Sequence, residues 1–470
     1  MLDRLLIILL LLQGTLMAQN RIGTGTVSDL YHQHCASCHG ADLSGGLGGS
    51  LITGEWKRIG SELSFIDYVA NGNPAMGMPG FGDVLDRKQL RGIEIYIAEM
   101  QHQSARAGNP VDTKSGSFYD ADGVRFTVET VVEDLDVPWA LSFLPDGRGV
   151  FTLKAGEVHL MQQDGSTVRV EENPDDIWVH GQGGLLEIAP HPNYAENGWI
   201  YLAYSSSGGE RDGAAQGNTK IVRGRIVDGK WLAQETVFET AFEFHRRAGT
   251  HFGTRFAFQD GYLFFSIGDR CAKDEAQDLG RPNGKVHRIY DDGRVPRDNP
   301  FVDQTGAYST IWSYGNRNPQ GLDFHPATGA LWESEHGPRG GDEINRIERG
   351  QNYGWPAITY GMNYSGTPIT DRTEAPGMAQ PKLYWTPSIA VCGIDFYEGD
   401  RFPAWKNNLF AGGLASQELH RLVIAGGAVV EDAIVLKGEG RVRDVANGPD
   451  GALYLVLNKP GRIVRMVPAE

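Results

Sequence analysis

The sequence predicts a mainly β chain, a six-bladed β-propeller preceded by a small all-α domain. Three observations carry that expectation. Glycine supplies 62 of the 470 residues, about twice its usual share, with no collagen-like period, so the excess belongs in turns. From Phe118 onward apolar and polar residues alternate over short runs separated by Asp-Gly and Gly-Gly turns, the pattern of many short strands. The third observation is a repeat. Six segments share a small or polar entry, alternating hydrophobics, a turn and an apolar strand. They begin at Ala140-Leu141-Ser142-Phe143, Leu185-Leu186-Glu187-Ile188, Arg255-Phe256-Ala257-Phe258, Gly321-Leu322-Asp323-Phe324, Gly393-Ile394-Asp395-Phe396 and Asp444-Val445-Ala446-Asn447. The mean spacing is about 61 residues, longer than the ~40–50 of simple propeller repeats and enough for four strands plus inserted loops. Such units cannot bury a core singly; radial packing solves that and protects the strand edges.

Residues 1–18 read as an export signal, with Arg4, the apolar run Leu5–Leu12 and a small-residue cleavage site at Leu16-Met17-Ala18. The run is shorter than the ~20 residues of a spanning helix. The processed chain is therefore expected to be periplasmic or secreted, with no membrane span. Acidic residues outnumber basic ones 59 to 43, for a net charge of −16. Without a basic patch, nucleic acid and anionic membrane surfaces are poor partners.

Residues 19–103 form the expected helical domain, followed by a polar linker over 104–117 and the propeller over 118–470. A helix is expected over about Val27–His34, and Asp86-Arg87-Lys88-Gln89 reads as a capping box. It opens a helix with Leu90, Ile93, Ile97 and Met100 on one face. Between them, Cys35-Ala36-Ser37-Cys38-His39 has the spacing for covalent haem attachment. Two thiols one turn apart form thioethers, and the imidazole of His39 takes one axial position on iron. The loop Gly77-Met78-Pro79-Gly80-Phe81-Gly82 offers a soft neutral ligand for the other. The other two cysteines, Cys271 and Cys392, are free to pair or stay reduced.

This domain resembles a class I cytochrome c. The resemblance favours Met78 over Met76 as axial ligand, because the family pattern is Met-Pro followed by an aromatic two residues on. His32 and His34 read as surface histidines.

In the propeller, polar residues gather at one position of the repeat. Gln182, His251, Arg317, Asn318, Arg441 and Arg443 stand where the chain enters the innermost strand of four different blades, around one mouth of the channel. Three arginines, an amide pair and a histidine make a cationic pocket suited to a compact polyanion. The loops Ser205–Gly217 and Thr367–Gln380 are expected to shape its entrance.

His251 in Gly249-Thr250-His251-Phe252-Gly253, together with Arg317-Asn318-Pro319-Gln320-Gly321, begins a set of motifs in order. His336-Gly337-Pro338-Arg339-Gly340-Gly341-Asp342-Glu343-Ile344-Asn345 and Asn352-Tyr353-Gly354-Trp355-Pro356 complete it. Over about 126–468 the chain resembles the soluble dehydrogenases that use pyrroloquinoline quinone (PQQ), nearest to their aldose sugar dehydrogenase branch.

The resemblance implies oxidation of aldoses to lactones, with His251 as general base on the anomeric hydroxyl and hydride passing to PQQ. Gln182, Arg317 and Asn318 would hold the quinone edge, Arg317 stabilising charge on the reduced oxygen. Arg441 and Arg443 would clamp carboxylates, and Tyr364 would touch the cofactor. Gly337 and Pro338 would offer carbonyls to a calcium shared with PQQ, and Glu343 and Tyr353 would hold a structural calcium.

Two positions depart from the family pattern. Thr250 replaces the acidic residue or asparagine before the base. At Leu414-Ala415, in the segment expected against PQQ, Ala415 replaces a lysine that pairs with a PQQ carboxylate. Electrons would leave through the chain's own haem c to a further cytochrome or quinone. Two other readings are a PQQ enzyme for another alcohol or aldehyde hydrate, and a non-catalytic calcium-stabilised binding propeller.

Overall fold

Thr26 and Asp29 form a reciprocal cap at the start of α1 (Val27–His34), each side chain accepting the other's backbone N–H. Asp86 and Gln89 do the same before α4 (Arg87–Gly108), with the two bonds at 2.8 and 2.9 Å. Between these lie α2 (Ala36–His39) and α3 (Phe65–Asn71). Leu90, Ile93 and Ile97 of α4 are buried against Val27, Leu30 and Tyr31 of α1, so the predicted apolar face is the core. The computed structural model describes residues 26–53, 64–108, 114–115 and 117–469; the expected export signal lies outside them.

The helix α4 runs past the expected boundary at 103. Its last turns lack apolar periodicity, yet Ala105 and Ala107 are strong helix formers and extend a helix already anchored on one face. The chain divides into two units, and the smaller takes in the segment Gly361–Arg372 besides the N-terminal helices. Within that unit Met362 is fully buried in the helical core, and Val27 donates its N–H to the Gly366 carbonyl at 2.8 Å. Nothing in the sequence pattern indicates this; the expected entrance loop Thr367–Gln380 covers only the second half of the segment.

The larger unit contains the six blades. Four-stranded antiparallel sheets span Pro138–Arg169, Leu185–Glu239, Phe256–Tyr314, Pro319–Trp385 and Val391–Lys437. The sixth blade joins Arg441–Asn447, Leu453–Asn458 and Arg462–Pro468 to the early strand Val124–Val132, with Val464 opposite Thr130 and Met466 opposite Val128. Pairing the two ends of the domain closes the ring, so no open edge separates first blade from last. Phe118–Ala121 and Lys114–Ser115 extend this sheet outward.

Each repeat anchor lies in the first strand of its sheet, and these strands pack side by side around the ring. Their acidic residues stitch neighbours together. Asp323 accepts from Phe396 N, Asp395 from Asn447 N, and Asp444 from Leu141 N, each reaching the next blade. Buried backbone donators of one blade are thereby satisfied by the next. Arg255, 5% exposed, ties three blades by bonding Glu187 at 2.9 Å and Asp444 at 3.2 Å.

The expected loop Ser205–Gly217 is instead the end of a long hairpin. Strands Ile200–Arg211 and Ala214–Val227 pair throughout, with Ser205 opposite Thr219. The Ser-Ser-Ser-Gly-Gly run has no hydrophobic alternation, so its strand character comes from the partner strand alone.

Candidate active site

Three short connections build the mouth: 180–184 before the second blade, 249–255 before the third, and Ile267–Cys271 leaving the third blade's second strand. His251, Arg270 and Cys271 all have positive φ, at 55°, 51° and 60°. Non-glycine residues hold this conformation only where surroundings over-determine it. Here they do: the Arg270 guanidinium, 1% exposed, donates to the carbonyls of Thr250 and Ala248 and stacks 3.4 Å from the Phe252 ring centre. Burial pulls the Arg270 pKa down to about 9. The His251 loop is thus pinned from behind.

His251 Nδ1 lies 2.6 Å from Asp269 Oδ1, and the Asp269 side chain is fully buried. Trp355 Nε1 donates to the other Asp269 oxygen at 2.8 Å, and Cys271 N donates to Oδ1 at 2.8 Å. Burial opposes a charged imidazole, but the Asp269 bond outweighs it and His251 is held above the ordinary histidine value. Burial likewise opposes the Asp269 carboxylate, and His251 overcomes it, so Asp269 stays below the usual range. With Nδ1 engaged, Nε2 is the nitrogen left to accept a proton. Sequence reasoning missed Asp269. Its signal was available only as Gly268-Asp269-Arg270 at a strand end, and its partner lies in another connection.

Hydrogen bonds join the predicted residues. Gln182 Oε1 accepts from His251 N at 2.9 Å, and Gln182 N donates to Gly249 O at 2.6 Å. Asn318 Oδ1 accepts from Gly253 N at 3.1 Å, while the Arg317 carbonyl accepts from Asp269 N at 2.7 Å. Arg317 Nη1 donates to the carbonyls of His336 and Gly337, both at 2.7 Å.

Arg441 and Arg443 lie inside the sixth blade's first strand rather than before it, and Arg443 stands at the register irregularity between Val442 and Asp444. Arg443 is 8% exposed, over Trp139 at 4.0 Å, and its hydrogen bonds reach only Gln320, Asn458 and Cys392. Among the described residues it pairs with no carboxylate. A buried guanidinium with only uncharged partners is a fit for an anionic ligand. Leu414 is buried and Ala415 exposed at a turn whose N–H groups bond Ala390 and Ile389. Tyr364 is 68% exposed and belongs to the segment grouped with the helical unit.

Gly337, Pro338, Glu343 and Tyr353 line one cavity of about 10 Å³ with Glu335 and Arg317. Glu335 accepts from Arg317 N and Asn316 Nδ2, and burial pushes its pKa up to about 7. Burial, with neighbouring carboxylates, raises Glu333 and Glu343 well above the usual range. Among the described residues, Glu333 Oε1 and Asn345 Oδ1 are buried without a hydrogen-bond partner. These crowded oxygen atoms suit a hard cation. Among the described residues no three His, Cys, Asp or Glu side chains form a ready metal cluster, so carbonyl oxygens would have to contribute.

In the helical unit Cys35 ends α1, and Cys38 and His39 close the single turn α2. Both cysteines are free thiols, and burial lifts Cys35 to about 11. His39 Nδ1 lies 2.8 Å from the Gly49 carbonyl, which fixes the ring and leaves Nε2 for iron. Met78 and Cys35 both pack against the apolar core, whereas Met76 is 80% exposed. The residues present fit a haem. Cys271 is exposed and Cys392 buried, each a free thiol.

Residues 135–465 match the glucose/sorbosone dehydrogenase family, and residues 25–97 match the family described as cytochrome c oxidase, cbb3-type, subunit III. The aldose sugar dehydrogenase YliI of Escherichia coli is 42% identical over 349 residues, covering 73% of this chain and 92% of its own length. The apo structure of the soluble E. coli aldose sugar dehydrogenase aligns with TM-score 0.69 at 41% identity, covering 73% of this chain and all of that one. The PQQ-bound aldose sugar dehydrogenase of Streptomyces coelicolor aligns with TM-score 0.60 at 27% identity, covering 73% of this chain and 98% of that one. On the propeller's ring, the residues at its mouth and these matches, the chain belongs to the glucose/sorbosone dehydrogenase family, with a cytochrome c domain at its N-terminal side.

Proposed function

We propose that this protein is an exported PQQ-dependent aldose dehydrogenase that oxidises sugars at the anomeric carbon to lactones and delivers the electrons to its own c-type haem. The observation that carries the reading is the His251–Asp269 pair near Arg317, together with the buried Arg443, which pairs with no carboxylate among the described residues.

His251 Nε2 takes the proton of the anomeric hydroxyl while Asp269 holds Nδ1 and balances the imidazolium that forms. Gln182 fixes the base from the backbone side through the His251 N–H. Arg441 and Arg443 would hold the ligand's carboxylates, with Leu414-Ala415 as a further contact, and Arg317 and Asn318 would set its reactive edge. Arg317 also supplies the charge that stabilises a developing oxyanion. When bound, PQQ supplies the two-electron quinone acceptor for hydride.

Gly337, Pro338, Glu343 and Tyr353 would hold calcium, which would supply a hard Lewis acid and relieve the repulsion among the buried carboxylates. Cys35 and Cys38 would attach the haem and His39 and Met78 would hold its iron, which would supply one-electron acceptance. The tether keeps the acceptor at high effective concentration for each electron. A downstream cytochrome or quinone then reoxidises it.

The test is reconstitution of the apo-protein with PQQ and calcium, followed by aldose addition. Sugar-dependent lactone formation supports the reading. A reconstituted protein that oxidises simple alcohols but no aldose would favour the second chemistry, and one inert to both would favour a binding propeller.

A further inference from the structure

The connection that carries Gln182 also carries an aromatic pair with no assigned role. Trp178 and His180 stack with ring centres 4.7 Å apart and planes 18° from parallel. A glycine packs close to each ring. A Cβ on Gly217 would lie 2.1 Å from a Trp178 ring carbon, and one on Gly249 would lie 2.7 Å from His180 Cδ2. Only glycine permits so close an approach from either side.

The backbone beneath is equally fixed. Trp178 N donates to Ser205 O at 2.6 Å, and Ser205 Oγ donates back to Trp178 O at 2.6 Å. Gly183 N donates to His180 O at 2.9 Å, and Lys154 Nζ donates to Gly181 O at 2.9 Å. His180 therefore stands on a rigid base, two residues from Gln182 and against the glycine two residues before His251. Its side chain is exposed, and among the described residues neither ring nitrogen has a hydrogen-bond partner.

A ring stacked on Trp178, packed close to Gly249 and with no hydrogen-bond partner for either nitrogen among the described residues is preorganised to read hydroxyl groups. It loses little conformational entropy on binding, unlike a free surface histidine. We infer that His180 is a specificity residue of the sugar site, hydrogen-bonding a ring hydroxyl other than the anomeric one. Trp178 serves as the positioning residue that holds it. The inference rests on the aldose reading above and names a group in this chain that selects among aldoses.

The experiment compares holoenzyme reconstituted with PQQ and calcium as wild type, His180→Ala and His180→Phe. Phenylalanine keeps the stack on Trp178 and removes both nitrogens, so it separates hydrogen bonding from packing. The substrates are D-glucose and its C2, C3 and C4 epimers, with PQQ affinity measured in parallel. Loss of one hydrogen bond to an uncharged partner corresponds to roughly tenfold. Both variants should raise KM for the preferred sugar by about that factor, change kcat less than twofold, flatten the preference among epimers and leave PQQ affinity unchanged. A His180→Phe enzyme with wild-type KM and epimer preference overturns the inference while the aldose reading stands. A wild-type holoenzyme that oxidises none of the four sugars overturns both, and the control alone reveals which has failed.

Discussion

His251 and Asp269 are joined across two connections of the third blade by a 2.6 Å hydrogen bond from Nδ1 to a fully buried carboxylate. That bond orients the imidazole, although Thr250 and not an acidic residue or asparagine precedes the base. The Thr250 hydroxyl instead lies 2.7 Å from Cys271 Sγ.

Asp269→Asn should therefore change both rate and pH dependence. Asp269 holds the His251 pKa up, and a general base works only when unprotonated. Activity is lost as pH falls through that raised value. Removing the charge should move the acid limb of kcat/KM to lower pH and reduce the plateau by about 10²-fold, as the imidazole loses its orientation. A pH profile of the variant checks both; an unmoved limb would contradict the coupling.

Arg443 presents a second, independent test. Its hydrogen-bonding partners are all uncharged, so its charge is available to a carboxylate. A charge-assisted bond contributes about 1.5–3 kcal/mol. Arg443→Met should weaken PQQ binding roughly 10–100-fold by equilibrium titration, with a native circular dichroism spectrum in the apo-protein. Unchanged affinity would remove Arg443 from the cofactor site.

Calcium should matter to fold as well as activity. Glu333, Glu335 and Glu343 crowd adjacent strands, and Glu333 Oε1 and Asn345 Oδ1 lack partners among the described residues. Exhaustive chelation should lower Tm and abolish PQQ binding, and calcium with PQQ should restore both. A chelated protein with unchanged Tm and full PQQ affinity would rule out the site.

For the haem, Met78 packs against the helical core and Met76 points to solvent. Met78→Ala should alter the low-spin spectrum and lower the potential while haem stays covalently attached. Met76→Ala should do neither. The reverse pattern would move the ligand.

The repeat made the ring legible, because each anchor lies in an alternating strand and three of the six carry an acid, Asp323, Asp395 or Asp444, that bonds the next blade. The capping box at Asp86 was legible for the same reason: its chemistry is local. What escaped was non-local. Val124–Val132 joins strands more than three hundred residues away, and only sheet pairing reveals it. Met362 sits in a polar, glycine-containing stretch, and its burial depends on helices far earlier in the chain. At the site, Gln182, His251, Arg317 and Asn318 shared a position in the repeat and could be grouped by counting. Asp269 and the Trp178–His180 stack occupy no repeated position, so only coordinates bring them beside the base.

The most direct measurement is anaerobic stopped-flow mixing of an aldose with the fully reconstituted protein while the haem spectrum is followed. The account predicts that sugar reduces the haem at a rate independent of protein concentration, because transfer is internal. It also predicts that His251→Ala slows this by roughly 10²–10⁴ while PQQ remains bound. A haem that stays oxidised while an artificial acceptor is reduced would contradict internal transfer, and a wild-type rate in His251→Ala would contradict the assigned base.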